Sequence, residues 1–266
     1  MQLSLSQNLT PRLEWRQETG STNLDLLELA ASQNLPHFTV LATANQVAGR
    51  GRAGRVWQAP RDSALAISVL LKPDLQAGSD LGSLGWLPLL AGLAMSRTVS
   101  KLILGSEVGV KWPNDVLVDQ QKICGILTEL TSQGQQIAVV VGAGINLTQA
   151  REDLPISTAT SLSIQGAQLP TRLDERLDLV LASYLENLNL LFSSFAESGF
   201  DPQSSGLRNA VIQNCVTLGR DVRAILPGDS ELVGKAISID ASGRLIIDVS
   251  GVATPVAAGD IVHLRH

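Results

Sequence analysis

The chain has 266 residues, of which 44% are hydrophobic and only 17% are charged, and this composition excludes wholesale disorder because it supplies enough apolar surface for a core. Its 20 basic and 25 acidic residues give a net charge of -5, so no global positive field draws it to nucleic acid or anionic lipid. Binding of an anion would therefore depend on a local group of basic residues. The two cysteines, Cys124 and Cys215, cannot form a four-ligand zinc site alone.

Neither export nor membrane insertion is predicted from the apolar segments. Residues 1–17 lack the basic start and the unbroken apolar stretch of a secretion signal. The longest charge-free apolar stretch, residues 81–96, falls short of the roughly 20 residues that cross a bilayer. We therefore expect a cytoplasmic protein without a membrane partner, in agreement with the sparse use of cysteine.

The first predicted elements are a short helix and two strands. Thr22 and Asp25 resemble a capping box, so a helix is expected to start just after Ser21. Residues 40–43 and 65–71 predict strands, and a loop rich in glycine and arginine joins them.

The central part of the chain predicts a sheet covered by helices. Two longer helices are expected near residues 84–102 and 173–195, the second with leucine and phenylalanine on one stripe. Further strands are expected at residues 108–111, 116–118, 123–130 and 137–145. Because short turns join consecutive strands and helices do not alternate with them, the pattern predicts an α+β fold, a mixed β-sheet with helices on one face.

The carboxy-terminal part predicts a separate small unit. Residues 198–215 are polar and rich in glycine, which suggests a boundary. Short apolar runs follow at residues 216–218, 222–226, 232–239, 245–249 and 261–264. About fifty residues of this kind are typical of a small SH3-like β-barrel. We therefore divide the chain into a domain of residues 1–212 and a second of residues 213–266.

The densest chemical signal is residues 49–55, which place three arginines and three glycines within seven positions. Three guanidinium groups repel one another unless a polyphosphate accepts their donors, and glycine lets backbone N–H groups come close to such an anion. A solvated surface loop is the simpler alternative. The segment also fits the G-x-G-x-x-G dinucleotide pattern, but a strand follows it where that pattern needs a helix.

Two further stretches combine turn residues with reactive groups. Residues 111–115, Lys-Trp-Pro-Asn-Asp, predict a tight turn, and Lys122 opens an apolar strand where its charge would stabilise an oxyanion or a phosphoryl group. An edge-strand lysine explains Lys122 equally simply. Residues 142–146 end another strand with two glycines and Asn146, which suits a purine edge or a plain turn. Ser21 and Thr22 likewise are explained by helix capping alone.

Five blocks, taken in chain order, resemble biotin protein ligases. They are Glu18-Thr19-Gly20-Ser21-Thr22-Asn23, the stretch from Gln46 to Trp57, Lys111-Trp112-Pro113-Asn114-Asp115, the stretch from Lys122 to Glu129, and Gly142-Ala143-Gly144-Ile145-Asn146. The resemblance implies a catalytic domain related in fold to class II aminoacyl-tRNA synthetases and an SH3-like second domain. It implies an enzyme that uses ATP and Mg²⁺ to form biotinyl-5'-AMP and passes biotin to a lysine of the biotin carboxyl carrier protein of acetyl-CoA carboxylase.

The resemblance also assigns roles to individual residues. It implies that Lys122 and Arg52 are catalytic; no metal-ligating residue is predicted. The implied biotin-binding residues are Ser21, Thr22, Asn23, Gln46, Gly49, Arg50, Lys122 and Gly125. The implied ATP- and adenylate-binding residues are Arg50, Arg52, Arg55, Trp57 and Asn146. Asp115 and Arg265 are candidates without an assigned role. We expect the loop of residues 49–55 to be mobile without ligand and to close over the adenylate.

Other functions compete with this one. A lipoate ligase or a lipoyl/octanoyl transferase shares the fold and the carrier-lysine chemistry, but its glycine-rich signature with a histidine is missing. A nonenzymatic SH3 module leaves the arginine loop unexplained. About seventeen residues precede Glu18, too few for the winged helix-turn-helix of bifunctional members, so DNA binding is not expected. The sequence does not fix the oligomeric state, so a homodimer is an alternative to a monomer.

Overall fold

The computed structural model describes residues 1–75, 81–133, 136–228 and 230–264. The strands of the amino-terminal part are β1 (Leu13–Trp15), β2 (Thr39–Thr43), β3 (Gly49–Arg50), β4 (Val56–Trp57), β5 (Ala64–Leu71), β6 (Val108–Lys111), β7 (Asp115–Val118), β8 (Gln121–Gln133) and β9 (Gln136–Asn146). Among the described residues, seven of them form a mixed sheet in the order β1-β2-β5-β9-β8-β7-β6. β1 and β2 are parallel, and the other neighbours are antiparallel.

Helices cover this sheet on both faces. They are α1 (Ser4–Gln7), α2 (Thr22–Ser32), α3 (Leu87–Leu102), α4 (Leu173–Glu197) and α5 (Leu207–Asn214). The long helices α3 and α4 pack together and share the main core with strand residues such as Val69 and Val141. α2 lies on the opposite face, where Leu26 packs with Leu70 and Val140. Since successive strand residues point to opposite faces, these two clusters lie on the two sides of the sheet.

The predicted mixed sheet is confirmed, and the two long helices share one face as expected. The prediction that helices lie on only one face of the sheet is wrong for α2, which lies on the opposite face. All eight positions of β5 are buried, so the sheet needs cover on both faces. α2 supplies this cover over part of the second face, and the rest of that face carries the site described below.

Local details of the prediction differ at the start of α2. The helix begins after Ser21 as expected, but Ser21 makes no side-chain cap hydrogen bond. Asp25 does not complete a capping box with Thr22, because its carboxylate accepts a hydrogen bond from the hydroxyl of Thr19. Both explanations of the Ser21 and Thr22 side chains by capping are therefore wrong.

Two further differences lie between the sheets. Residues 198–215, predicted as a polar boundary, contain α5, which buries Leu207 and Val211. Residues 216–218 form turns instead of the predicted strand, because Val216 is held by a hydrogen bond from its N–H to the carbonyl of Val110, 3.0 Å away. Because Val216 is hydrogen bonded to the larger sheet, this segment does not add a strand to the smaller sheet.

The carboxy-terminal part is the predicted all-β unit. Its strands are β10 (Asp221–Ile225), β11 (Glu231–Ile239), β12 (Leu245–Val249), β13 (Val252–Val256) and β14 (Asp260–His263), paired antiparallel in the order β13-β12-β11-β10-β14. β13 was not predicted, because its apolar residues are interrupted by Thr254 and Pro255. The division at residue 212 stays a prediction, and Arg265 lies outside the described residues.

One described helix, α4, is long and apolar enough to cross a bilayer by length and composition alone. Its Leu177, Leu181, Leu185 and Leu188 are fully buried in the core that it shares with α3 and the sheet. Half of its most apolar stretch is buried within the protein, as in a helix that packs on a sheet.

Candidate active site

The floor of the site is the part of the sheet that α2 leaves open. Strand register places Ser68 opposite Gly142 and Gly142 opposite Leu127. Directly opposed residues of antiparallel strands share a face. A second row, two residues further along these strands, runs from Ala66 through Gly144, Gly125 and Asp115 to Lys111. The sequence-predicted candidates converge on these two rows.

Glycine is required in the floor because other side chains lie directly on it. A Cβ added to Gly142 would lie 2.2 Å from Asn23 Oδ1, and one added to Gly144 would lie 2.7 Å from the ring of Trp57. Gly125 supports Lys122, whose Nζ would lie 3.4 Å from such a Cβ. The glycines at the end of β9 thus let the side chains of Asn23 and Trp57 lie directly on the sheet.

One wall of the site is neutral and largely buried, and hydrogen bonds fix several of its side chains. Ser21, Thr22 and Asn23 are 3–5% exposed. Gln46 Oε1 accepts hydrogen bonds from the Thr22 N–H at 2.9 Å and from the Thr22 hydroxyl at 3.2 Å. Thr22 is thus held through both its backbone and its side chain.

Ser68 joins this wall to the sheet, and sequence reasoning missed it. Its hydroxyl lies 2.8 Å from Thr22 Oγ1 and 2.6 Å from Asn23 Oδ1, and it is fully buried. Asn23 Nδ2 donates to the Leu127 carbonyl at 3.1 Å and to the carboxylate of Glu129 at 2.9 Å. A signal was available, because Ser68 is the one hydroxyl in the otherwise apolar run of β5.

The arginine segment is a short β-hairpin that stands over the floor. Gly49 pairs with Trp57 and Arg50 pairs with Val56. The turn between them has positive φ angles at Ala53 and Gly54. A Cβ on Gly49 would lie 2.3 Å from the Trp57 carbonyl oxygen, so the first glycine is required for the hairpin to form.

Each arginine of the hairpin has a partner on a different element. Arg50 lies 3.2 Å from Glu129 of β8. Arg52 donates to Asn114 Oδ1 at 3.0 Å and to the Gly259 carbonyl at 3.4 Å. Arg55 forms an ion pair with Asp260 at the start of β14. The carboxy-terminal unit therefore contacts the hairpin directly.

Lys122, the candidate catalytic lysine, also forms an ion pair. Lys122 Nζ lies 2.6 Å from Asp115 Oδ1, in the row that also contains Gly125. Burial lowers the pKa of Arg52, Arg55 adds to this effect, and Asp115 opposes it. Asp115, the candidate without a role, is thus the carboxylate that lies among the cations.

Trp57 and Asn146 lie on either side of Gly144. The Trp57 ring rests on this glycine, and Asn146 is two residues further along β9 on the same face. Asn146 Nδ2 donates to the Thr160 carbonyl at 2.9 Å, and its Oδ1 accepts from Gln149 at 2.9 Å. The amide is thereby fixed in orientation.

Cys124 lies beside the site in sequence but belongs to the core. Its side chain is buried with those of α4, and burial raises the pKa of the thiol. It is therefore not a nucleophile. The structure thus brings together every predicted site residue that it describes, and Arg265 alone among them is outside the described residues.

Two family models match the chain. Residues 15–146 match the biotin/lipoate A/B protein ligase family, and residues 217–264 match the biotin protein ligase C-terminal domain. Together they span the seven-stranded sheet with its site and the small carboxy-terminal sheet.

Full-length relatives and a solved structure agree with these matches. The chain is 39% identical over 258 residues to the biotin--[acetyl-CoA-carboxylase] ligase of Mycobacterium tuberculosis, covering 94% of this chain and 90% of that protein. It is 32% identical to the protein of the same description from Paracoccus denitrificans, covering 86% and 91%. The biotin protein ligase of Aquifex aeolicus in complex with biotin and ATP superimposes with a TM-score of 0.72 at 28% identity, covering 96% of this chain and 100% of that chain.

Proposed function

The chain belongs to the biotin protein ligase family, and on this premise we propose that it activates biotin with ATP as biotinyl-5'-AMP. It then transfers the biotinyl group to a lysine of the biotin carboxyl carrier protein of acetyl-CoA carboxylase. One observation carries the proposal: a neutral hydrogen-bonding wall and a group of cations meet on one glycine floor. That combination suits a ligand with an uncharged polar ring at one end and a carboxylate at the other.

The neutral wall is the proposed site of the biotin ureido ring. Ser21, Thr22, Asn23 and Gln46 offer donors and acceptors without net charge, as an uncharged ring requires. The row of Gly142 and the row of Gly144 are two strand residues apart, about 7 Å. A ligand whose ring occupies the first row therefore reaches the cations of the second with its carboxylate.

The first step joins two anions. A biotin carboxylate oxygen attacks the α-phosphorus of ATP, the bond from that phosphorus to the bridging oxygen breaks, and pyrophosphate leaves with the electron pair. Lys122, Arg50 and Arg52 place positive charge where these anions meet, which is the main contribution a protein makes to phosphoryl and nucleotidyl transfer. Glu129 holds Arg50, Asp115 holds Lys122 and Asn114 holds Arg52 in place beforehand.

We assign adenine to Trp57 and Asn146. The Trp57 ring lies against Gly144 and offers an aromatic surface for stacking, while the amide of Asn146, two residues further along β9, offers a donor and an acceptor. The amide is already oriented by Thr160 and Gln149. Because the donor and the acceptor of the Asn146 amide are fixed in position, they match one hydrogen-bonding edge of a purine better than the others.

Magnesium is proposed to enter with ATP, where it neutralises charge on the phosphate oxygens. The described residues contain no group of three or more histidine, cysteine, aspartate or glutamate side chains suited to a metal. Mg²⁺ commonly binds through substrate phosphates, water and one or two carboxylates. Asp115 is the carboxylate of the second row and the candidate for that contact.

The second step forms an amide. The neutral amine of the carrier lysine attacks the carbonyl carbon of the mixed anhydride, AMP leaves with the electron pair of the broken bond, and the nitrogen releases a proton to solvent. Negative charge develops on the carbonyl oxygen, which the ammonium of Lys122 is placed to stabilise. Asp115 positions that ammonium at 2.6 Å.

A lipoate ligase or a lipoyl/octanoyl transferase is the weaker alternative. The family model of residues 15–146 includes both activities by its description. The match of residues 217–264 to a biotin ligase domain and the relatives described above favour biotin.

Mass spectrometry of a purified carrier domain tests the function. Incubation with the chain, ATP, Mg²⁺ and biotin is expected to add one biotinyl group, and exchange of labelled pyrophosphate into ATP is expected only when biotin is present. Lipoate replaces biotin in the control exchange reaction. Exchange that depends on lipoate and not on biotin would replace the proposed activity with the alternative.

A homodimer is also proposed, supported by an open strand edge. β9 pairs with β8 from Cys124 to Gln133, whereas β7 pairs with it only from Gln121 to Gly125. Within the described ranges, the β7 side of β8 has no strand partner beyond Ile126, and such an edge is a template for pairing with a second copy. Sedimentation with and without biotin and ATP tests this; a monomer under all conditions contradicts it.

A further inference from the structure

Lys111 is the residue at the cationic end of the second row, and the functional assignment above leaves it unused. It ends β6 and pairs across the hairpin with Asp115, which pairs in turn with Gly125 and Gly144. Three strand spacings separate Lys111 from Gly144, about 14 Å. A ligand that starts beside Trp57 and runs along the row therefore ends at Lys111.

The side chain of Lys111 differs from the other site cations in having no partner. Arg50, Arg55 and Lys122 each form an ion pair, and Arg52 bonds to Asn114. Within residues 1–75, 81–133, 136–228 and 230–264, the Lys111 ammonium makes neither an ion pair nor a hydrogen bond. It is the cation best able to accept a new anion.

The environment of Lys111 disfavours an isolated positive charge. Burial lowers its pKa, Lys122 and Arg55 lower it further, and only Asp115 opposes them. An ordinary edge-strand lysine reaches into water to protect the edge, whereas Lys111 is partly buried and faces other cations. An anion bound beside it would relieve this repulsion.

The backbone around Lys111 is held on both sides by the carboxy-terminal unit. The Val110 carbonyl accepts from Val216 N–H at 3.0 Å, and Trp112 N–H donates to Thr217 Oγ1 at 3.1 Å. The Trp112 indole donates to the Gly243 carbonyl at 2.9 Å. A cation on so rigid a support is preorganised for a ligand.

His263 completes this end of the site without adding charge. Its Nε2 lies 3.3 Å from Thr217 Oγ1. Burial, Lys111 and Arg220 together lower the pKa of His263 to about 4. The ring is therefore neutral near pH 7, and the positive charge at this end of the site comes from Lys111, Lys122, Arg55 and Arg220.

We infer that Lys111, together with Arg55, binds the β- and γ-phosphates of ATP and the pyrophosphate that leaves. This inference rests on the proposed function. When the bond from the α-phosphorus to the bridging oxygen breaks, the electron pair stays on the β-phosphate, and the added negative charge develops opposite the attacking carboxylate. Lys111 stabilises that charge, and the ion pair of Arg55 with Asp260 is exchanged for one with phosphate.

Separating the two half-reactions tests this role. Lys111→Gln is expected to raise the KM for ATP and to lower biotin-dependent pyrophosphate exchange, each at least about 10-fold, with the KM for biotin unchanged. Transfer from preformed biotinyl-5'-AMP to the carrier domain is expected at the wild-type rate, because pyrophosphate takes no part in it. Lys111→Arg should restore part of the exchange. Lys101→Gln, on the exposed end of α3, is the matched control.

Three outcomes would overturn the inference. A KM for ATP within twofold of wild type in Lys111→Gln removes the phosphate contact. Equal slowing of exchange and transfer, or loss of cooperative thermal unfolding, assigns Lys111 a structural role instead. If the wild-type chain neither exchanges pyrophosphate nor modifies the carrier, the proposed function itself is refuted. This outcome differs from a failure of the Lys111 inference, because it is seen in the wild type before any variant is compared.

Discussion

The neutral wall and the charged half of the site are built in opposite ways. Thr22, Asn23 and Ser68 are 0–5% exposed and joined by short hydrogen bonds that need no ligand. The side chains of Arg50 and Arg55 are 49% and 57% exposed and rest on carboxylates. One half is thus fixed like a protein core, and the other like a protein surface.

This difference follows from what each half must bind. An uncharged ring gains little from flexible partners, so its donors and acceptors are best fixed in advance by burial. Phosphates and carboxylates bring their own charge, and cations that are already partly paired avoid mutual repulsion until the anions arrive. Mutations in the two halves are therefore expected to have different signatures.

The largest effect is expected at the centre of the charged half. Lys122→Ala removes the ammonium where both anions meet, and loss of one such group typically costs 10² to 10³ in rate, or about 3–4 kcal/mol. Steady-state biotinylation of the carrier domain measures it, and Arg52→Ala is expected to behave similarly. Lys235→Ala, on the exposed side of β11, is the control. Full activity in either site variant contradicts the assigned roles.

A smaller but more selective effect is expected in the neutral wall. Ser68→Ala leaves Asn23 Oδ1 without its donor, which costs about 1–3 kcal/mol for a buried acceptor. The KM for biotin should rise by about 5-fold or more while the KM for ATP stays constant.

Ser96 provides a matched control for this substitution. It is equally buried, but its hydroxyl has no hydrogen-bond partner among the residues that the structure describes. Ser96→Ala is therefore expected to change neither KM. If both variants raise the KM for biotin equally, Ser68 acts through packing alone.

A modest effect is expected where the hairpin meets the carboxy-terminal unit. Asp260→Asn removes the partner of Arg55, and an exposed ion pair is worth about 1 kcal/mol or less. Limited proteolysis should cut the hairpin of residues 49–57 up to about 5-fold faster in the variant, and biotin with ATP should protect the wild type. Asp174→Asn, which removes a surface ion pair with Arg172, serves as the control. Equal cleavage with and without ligands contradicts the proposed closure.

An effect of comparable size, confined to acidic pH, is expected at His263. Because its pKa is lowered from 6.5 to about 4 in the folded chain, the unfolded chain binds more protons between these values. Stability is therefore complete above pH 6.5 and falls as the pH decreases towards 4. His263→Gln should flatten this dependence by about 1 kcal/mol, since the ring is only partly shielded from solvent. Thermal unfolding at pH 5 and pH 7 measures it, and an unchanged difference excludes His263 as the cause.

Much of this organisation was predictable because it depends on local pattern. The apolar period located the long helices and most strands, and the dense groups of glycine, arginine, lysine and asparagine marked the site. α5 was missed because it spans only eight residues within a stretch otherwise rich in polar residues and glycine, and residues 216–218 were misassigned because a short apolar run does not show whether it extends a sheet.

The sequence alone determined the types of element, the glycines of the floor and the group of cations, because hydrophobic period and crowded charge are properties of neighbouring residues. Tertiary structure alone decided that Ser68 holds Asn23, that Asp260 pairs with Arg55 and that Lys111 ends the row of Gly144. These partners are separated by 45, 205 and 33 positions in the chain. Strand order and register bring them together, and those depend on how the whole sheet buries its two faces.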